Sequence, residues 1–188
     1  MTRNPSEAAL LGLLSLRPMS GYDIRKTTRE SIGHFWSESY GQIYPTLGRL
    51  ERRGLVRRLA TRGRGRRVRQ LYALTPRGQH ALEQWLALAP HHRPFRSELL
   101  LKLFFGRRLP RNVAAGHVRE FLARQETFLR VYDAVERQLR AEHARHPDLP
   151  FWLMTLSYGR HMARVLRDWC GETLAALAPR SARAKKAG

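Results

Sequence analysis

The sequence predicts a mainly helical protein with a small β-hairpin wing, organised as an N-terminal winged helix-turn-helix and a C-terminal helical dimerisation domain. Three observations carry this expectation. A short amphipathic stretch around residue 45 runs directly into an arginine-loaded hairpin, a Pro/His-rich break follows at residues 90–94, and beyond it two long segments keep the four-three apolar rhythm of packed helices.

The elements can be justified in order. Glu7 to Leu16 reads as an apolar first helix broken by Pro18, and Ser20 or Asp23 opens a second running to about Ser31. In the third, Ile43, Leu47 and Leu50 fall at i, i+4 and i+7, and Gly54 stands where a left-handed cap is expected. Pro45 is tolerated only near a helix start, which places that start near Gly41 or Gln42. About 12 residues at 1.5 Å each make a rod of roughly 18 Å, suited to a major groove. With the apolar stripe turned inward, Tyr40, Gln42, Tyr44, Thr46 and Arg49 lie on or beside the exposed N-terminal half. Glutamine and arginine there would bond adenine and guanine edges bidentately.

Leu55-Val56 then opens a strand, Thr61 to Arg67 is rich enough in Gly and Arg to be a hairpin tip, and Val68 to Leu74 returns. Ten arginines and one acid, Glu51, lie between Arg49 and Arg69, so these charges repel one another unless a polyanion is present. Gly63 and Gly65 keep the tip slim enough for a minor groove, with Arg62, Arg64, Arg66 and Arg67 as its contacts. A solvated basic loop is the plainer alternative. Thr75 as N-cap and Pro76 at the first position start a further helix through Leu86.

Past the linker at Pro90 to Pro94, Ser97 to Phe105 is apolar nearly all round and is therefore expected to be buried, with Gly106 stopping it. From about Arg111 to His143, Ala114, Val118, Phe121, Gln125, Phe128, Tyr132, Val135, Leu139 and Glu142 form an unbroken heptad seam. A matching seam runs through Trp152, Leu156, Gly159, Ala163, Leu166, Cys170, Thr173 and Leu177 of a helix from Phe151 to Leu177. Spacing leaves open whether the seams meet within one chain or across a dimer. Val118, Phe121, Phe128, Leu156 and Leu166 are the dimerisation candidates, because one recognition helix covers few base pairs and a two-fold pair reads a palindrome. Gln125 either fixes register or sits at a wet seam edge. The expected domains are 1–89, binding DNA; 95–178, helical, for dimerisation and effector binding; and 179–188, a basic disordered tail.

The formal net charge of +20 suits a polyanionic partner. Residues 1–89 carry 16 basic and 6 acidic side chains and residues 90–188 carry 19 and 9, so bulk charge does not locate the site; the Arg49–Arg69 cluster does. A single cysteine, Cys170, excludes an intrachain disulfide and suits a reducing cytosol. No stretch approaches 18 apolar residues and no signal-peptide region opens the chain, so a cytoplasmic protein without membrane insertion is expected. His117, His143 and His146 lack a completing ligand pattern, no nucleophile elbow or nucleotide-binding glycine pattern occurs, and Cys170 lies in an apolar stripe. Neither an enzyme nor a metal or other cofactor is expected.

SGYDI (Ser20 to Ile24), FWS (Phe35 to Ser37), QIYPTLGRLERRGL (Gln42 to Leu55) and LYALTPRG (Leu71 to Gly78) occur in an order and spacing that resemble the PadR family of bacterial transcriptional regulators. SELLLKLFF (Ser97 to Phe105) and the final DWCGETLAAL helix resemble the C-terminal domain of its long-form members. Coverage is about residues 5 to 178, with an unusually arginine-rich wing tip. The resemblance implies a homodimeric regulator, a repressor by expectation, on double-stranded operator DNA. It also implies a hydrophobic or aromatic small-molecule effector at the domain junction, where Trp36, Tyr72 and Trp152 are candidates and Leu11 and Leu14 their neighbours. Core packing explains each of these aromatics equally well. The rivals are a regulator without a ligand and a winged-helix interaction module without specific DNA binding.

Overall fold

The computed structural model describes residues 4–33, 35–36, 40–59, 70–91 and 95–178. The chain divides into two compact units, Met1–Arg93 and Pro94–Gly188.

In the first unit, α1 (Pro5–Leu16) begins at Asn4, whose side chain accepts from the Ser6 amide at 3.0 Å, with Pro5 at a position that needs no donor. Helix α2 (Gly21–Ser31) opens on a reciprocal capping box: Ser20 Oγ accepts from the Asp23 amide at 3.2 Å while the Asp23 carboxylate accepts from the Ser20 amide at 3.0 Å. Helix α3 (Tyr40–Arg52) ends on Gly54 at φ 67°, and the amides of Gly54 and Leu55 donate to the carbonyls of Glu51 and Leu50 at 2.8 and 2.9 Å. That pairing is a Schellman motif, and its left-handed residue is the glycine expected from sequence. Helix α4 (Pro76–Leu86) starts as expected, with Thr75 Oγ1 accepting from the Gly78 amide at 3.0 Å.

The wing strands are β2 (Val56–Leu59) and β3 (Leu71–Leu74), antiparallel with Val56 opposite Leu74 and Leu59 opposite Leu71. A strand not anticipated, β1 (Met19–Ser20), pairs with the other edge of β3, so the order is β1-β3-β2. Two residues are too few for a periodic signal, and only the completed pairing defines them. The core gathers Leu10, Leu11, Leu14, Ile24, Ile43, Leu47, Leu50 and Tyr72 from the helices and sheet alike.

In the second unit, α5 (Glu98–Phe104) is capped by Ser97 and is not buried, a correction to the reading of Ser97 to Phe105. Leu101 is 59% and Phe104 83% exposed. An all-apolar helix demands cover, but composition does not say that its own chain supplies it. Helices α6 (Arg111–Glu142) and α7 (Leu149–Leu177) pack along most of their length, and their seams meet within one chain. Val118, Tyr132, Leu156, Ala163 and Cys170 are buried between them, and Phe121 meets Trp169 edge-on at 6.3 Å between ring centres. Arg160 of α7 reaches Glu136 of α6 at 2.6 Å. Gln125 is buried, so the wet-edge alternative for it is removed.

Candidate nucleic-acid interface

The site is built on α3. Ile43, Leu47 and Leu50 are fully buried, which turns the opposite face outward. Along that face Gly41, Pro45, Gly48 and Arg52 recur at i, i+4, i+7 and i+11, flanked by exposed Gln42 and by Tyr44 at 50% exposure. The line is slim because two of its four members have no side chain, so another surface can approach the helix backbone closely. Gly21 of α2 serves the same face: a Cβ there would lie 2.7 Å from the Tyr44 ring, so glycine lets that ring rest on the start of α2.

The expected readers do not all lie on this face. Gln42 and Tyr44 do. Tyr40 opens α3, and the described structure does not extend to its side chain. Thr46 is turned inward at 1% exposure, a correction: at 100° per residue it falls about 40° beyond Leu50, on the flank of the apolar stripe of Ile43, Leu47 and Leu50 that the packed unit still covers. Arg49 is half-buried and faces α1 rather than outward, also a correction. Its Nη2 donates to Thr46 Oγ1 at 2.7 Å, and its Nε lies 3.6 Å from Glu7 Oε1. Sequence reasoning did not single out Arg52 and Arg57, which are exposed and have no ion pair among the described residues. The helical wheel alone would have ranked Arg52 above Arg49.

The base of the wing is fastened to α3. Arg58 of β2 pairs with Glu51 at 2.8 Å and lies 5.8 Å from the ring centre of Tyr72, its partner across the ladder. Gln70 closes the strand ends, its Nε2 donating to the Leu59 carbonyl at 3.1 Å. Arg62, Arg64, Arg66 and Arg67, with the rest of the expected tip, lie outside the described residues, as does the tail at 179–188.

The effector and dimer candidates divide by environment. Leu11, Leu14 and Tyr72 belong to the core of the first unit, and Trp36, half-buried, donates its amide to the Ile32 carbonyl at 2.8 Å. Trp152 stands at the α6–α7 turn, stacked on His146 at 4.5 Å and edge-on to His143 at 5.6 Å. Val118 and Leu156 are spent on the intrachain seam, a correction to their reading as dimer contacts; Phe121 and Leu166 are half-buried and Phe128 is 40% exposed beside Tyr132. Among the described residues no cluster of three His, Cys, Asp or Glu side chains could hold a metal, and no helix is long and apolar enough to cross a membrane.

Two family models divide the chain much as its compact units do. Residues 10–84 match the transcriptional regulator PadR-like family, and residues 95–178 match the virulence activator alpha C-terminal family. The negative transcriptional regulator PadR of Bacillus subtilis is 33% identical over 125 residues, which cover 64% of this chain and 67% of that protein. The chain belongs to the PadR-like family of transcriptional regulators. Bacillus subtilis PadR in complex with operator DNA aligns with this PadR-like chain at a TM-score of 0.80 and 27% identity, covering 93% of this chain and 100% of that one. The same protein in complex with p-coumaric acid aligns at 0.72 and 28%, covering 91% and 97%. PadR-like proteins are regulators and not enzymes, and the C-terminal match fits the long form of the family.

Proposed function

We propose that this PadR-like regulator is a homodimeric repressor that binds a palindromic operator and leaves it when an aromatic small molecule binds. The observation that carries the DNA reading is the outward line of α3, slim at Gly41 and Gly48 and bordered by Gln42, Tyr44 and Arg52, with the wing strands leaving from its C-terminal end. Gln42 and Tyr44 read base edges, Arg52 and Arg57 contact phosphates, and the wing arginines Arg62, Arg64, Arg66 and Arg67 enter the adjacent minor groove. That a relative was crystallised in complex with operator DNA supports the DNA reading.

The dimer reading is supported by an apolar stripe on the outside of α7. Phe151, Met154, Tyr158, Met162 and Val165 follow spacings of three, four, four and three, and all are at least 41% exposed. Phe128 and Val131 of α6 and the uncovered leucines and phenylalanines of α5 extend the apolar surface of this unit. A stripe of this kind on a water-facing helix marks a protein contact, and a second copy brings two α3 helices to the two halves of a palindrome. The relative bound to p-coumaric acid supports an aromatic effector, for which Trp36 and Trp152 are the half-buried candidates. Release over a hundredfold range of operator affinity needs a coupling of about 2.7 kcal/mol.

A footprint on the DNA flanking the coding region, followed by titration with p-coumaric acid, tests the proposal. A two-fold protected site released by the acid is expected. Protection of no sequence would leave the interaction-module reading, and protection untouched by phenolic acids would leave the ligand-free one.

A further inference from the structure

Among the described residues Glu7 is the only charged side chain that is almost wholly buried, at 6% exposure. It stands on the first turn of α1, away from the outward face of α3, yet its carboxylate reaches two arginines at that helix's end. Oε2 accepts from Arg53 Nη1 at 2.6 Å, and Oε1 lies 3.6 Å from Arg49 Nε. Arg49 is held from a second side by Thr46 Oγ1 at 2.7 Å. We infer that Glu7 is a specificity-determining residue, which withholds the charges of Arg49 and Arg53 from the DNA backbone and thereby lowers affinity for DNA of random sequence.

The argument begins with counterion release. An arginine that meets a phosphate adds affinity for every sequence alike, and adds about −0.9 to the log–log salt slope. The chain places five arginines on α3, the turn after it and the strand that follows, at 49, 52, 53, 57 and 58. If all five met phosphates, sequence-independent binding would grow at the expense of discrimination. Two carboxylates divide them. Glu51, 30% exposed, holds Arg58 at the surface, where phosphate can displace it; Glu7, with a side chain 8% exposed, cannot follow its arginines into solvent and keeps them against α1. A buried carboxylate is stable only while paired, so releasing both arginines to DNA would leave an uncompensated charge in the core. Arg49 and Arg53 are 39% and 42% exposed, so both lie at the surface, where a phosphate can approach them.

The inference rests on the proposed use of α3 as the DNA-reading helix. Its test uses the full-length protein, a random-sequence duplex and the footprinted operator, each titrated over a range of salt. Glu7→Gln, close in shape but uncharged, is expected to raise random-duplex affinity and to steepen its salt slope by up to about 1.8 per protomer, so that a fourfold rise in salt removes up to about 12-fold more affinity per protomer than from wild type. The operator-to-random ratio should fall. Adding R49Q and R53Q to E7Q should return slope and random affinity to the wild-type values, because the charges removed made no contribution. An E7Q protein that folds but shows an unchanged or flatter slope overturns the inference. Should E7Q alone not fold, the triple variant decides, since it leaves no buried charge unpaired: a slope flatter than wild type would show that Arg49 and Arg53 had been on the phosphates. Wild-type protein that binds no duplex at all would refute the DNA reading, and this inference with it.

Discussion

At Gly159 the α6–α7 seam has no room for a side chain. A Cβ there would lie 2.9 and 3.3 Å from ring carbons of Tyr132 and 3.0 Å from its hydroxyl oxygen, and that side chain is itself buried and stacked on Phe128. Gly159→Ala should therefore destabilise the protein by about 1–3 kcal/mol, read as a lower urea midpoint at constant slope. An unchanged midpoint would mean that the ring moves aside freely. Cys170 occupies the same seam, and burial pushes its thiol above the ordinary value. Since the thiolate is the nucleophile, iodoacetamide should label Cys170 slowly in the folded protein at neutral pH and quickly in denaturant. Rapid labelling of native protein would show that the seam opens. These positions were legible in part: the heptad spacing placed Gly159 and Cys170 on one stripe, but a stripe does not say which ring the glycine accommodates.

Among the elements, α6 and α7 are joined by charge as well as by packing. A hydrogen bond from Arg140 and the neighbouring Arg160 hold the Glu136 carboxyl below its ordinary value of 4.5. A depressed carboxyl stabilises the fold above the unfolded value and loses that contribution as pH falls through the folded one. Stability should therefore fall on the acid side of pH 4.5, and Glu136→Gln should flatten that limb while lowering stability at neutral pH. An acid limb identical in the variant would assign the loss to other carboxyls, such as Glu98, which Lys102 also holds down. For the wing, Arg64→Ala with Arg66→Ala should weaken operator and random duplex alike and flatten the salt slope by about 1.8 per protomer if each meets one phosphate. An unchanged slope would remove the tip from the interface.

For the whole molecule, the two apolar stripes of α7 predict opposite outcomes. Leu156→Asp places a charge in the intrachain seam and should unfold the second unit, because burying an unpaired carboxylate costs several kcal/mol. Tyr158→Glu with Met162→Glu, at positions 67% and 41% exposed, should leave the chain folded by circular dichroism but monomeric by sedimentation, with operator affinity lost. A folded double variant that remains dimeric would place the contact between copies elsewhere, with α5 the next surface to test.

Local chemistry determined much of this protein before folding. The capping residues Ser20 with Asp23, Thr75 with Pro76, and the left-handed Gly54 act over a few residues, so their consequences were readable from the string alone. The PadR resemblance was carried by the same kind of short-range pattern, around the turn-and-helix run from Gln42 to Leu55. Tertiary structure decided what depends on partners distant in sequence. It paired β1 with β3 across about fifty residues, joined the two heptad seams within one chain and left α5 uncovered. It also turned Arg49 from the groove face to Glu7, forty-two positions earlier. Periodicity tells which side of a helix is apolar, whereas the cover that side receives, and the carboxylate that claims an arginine, are settled only when the helices meet.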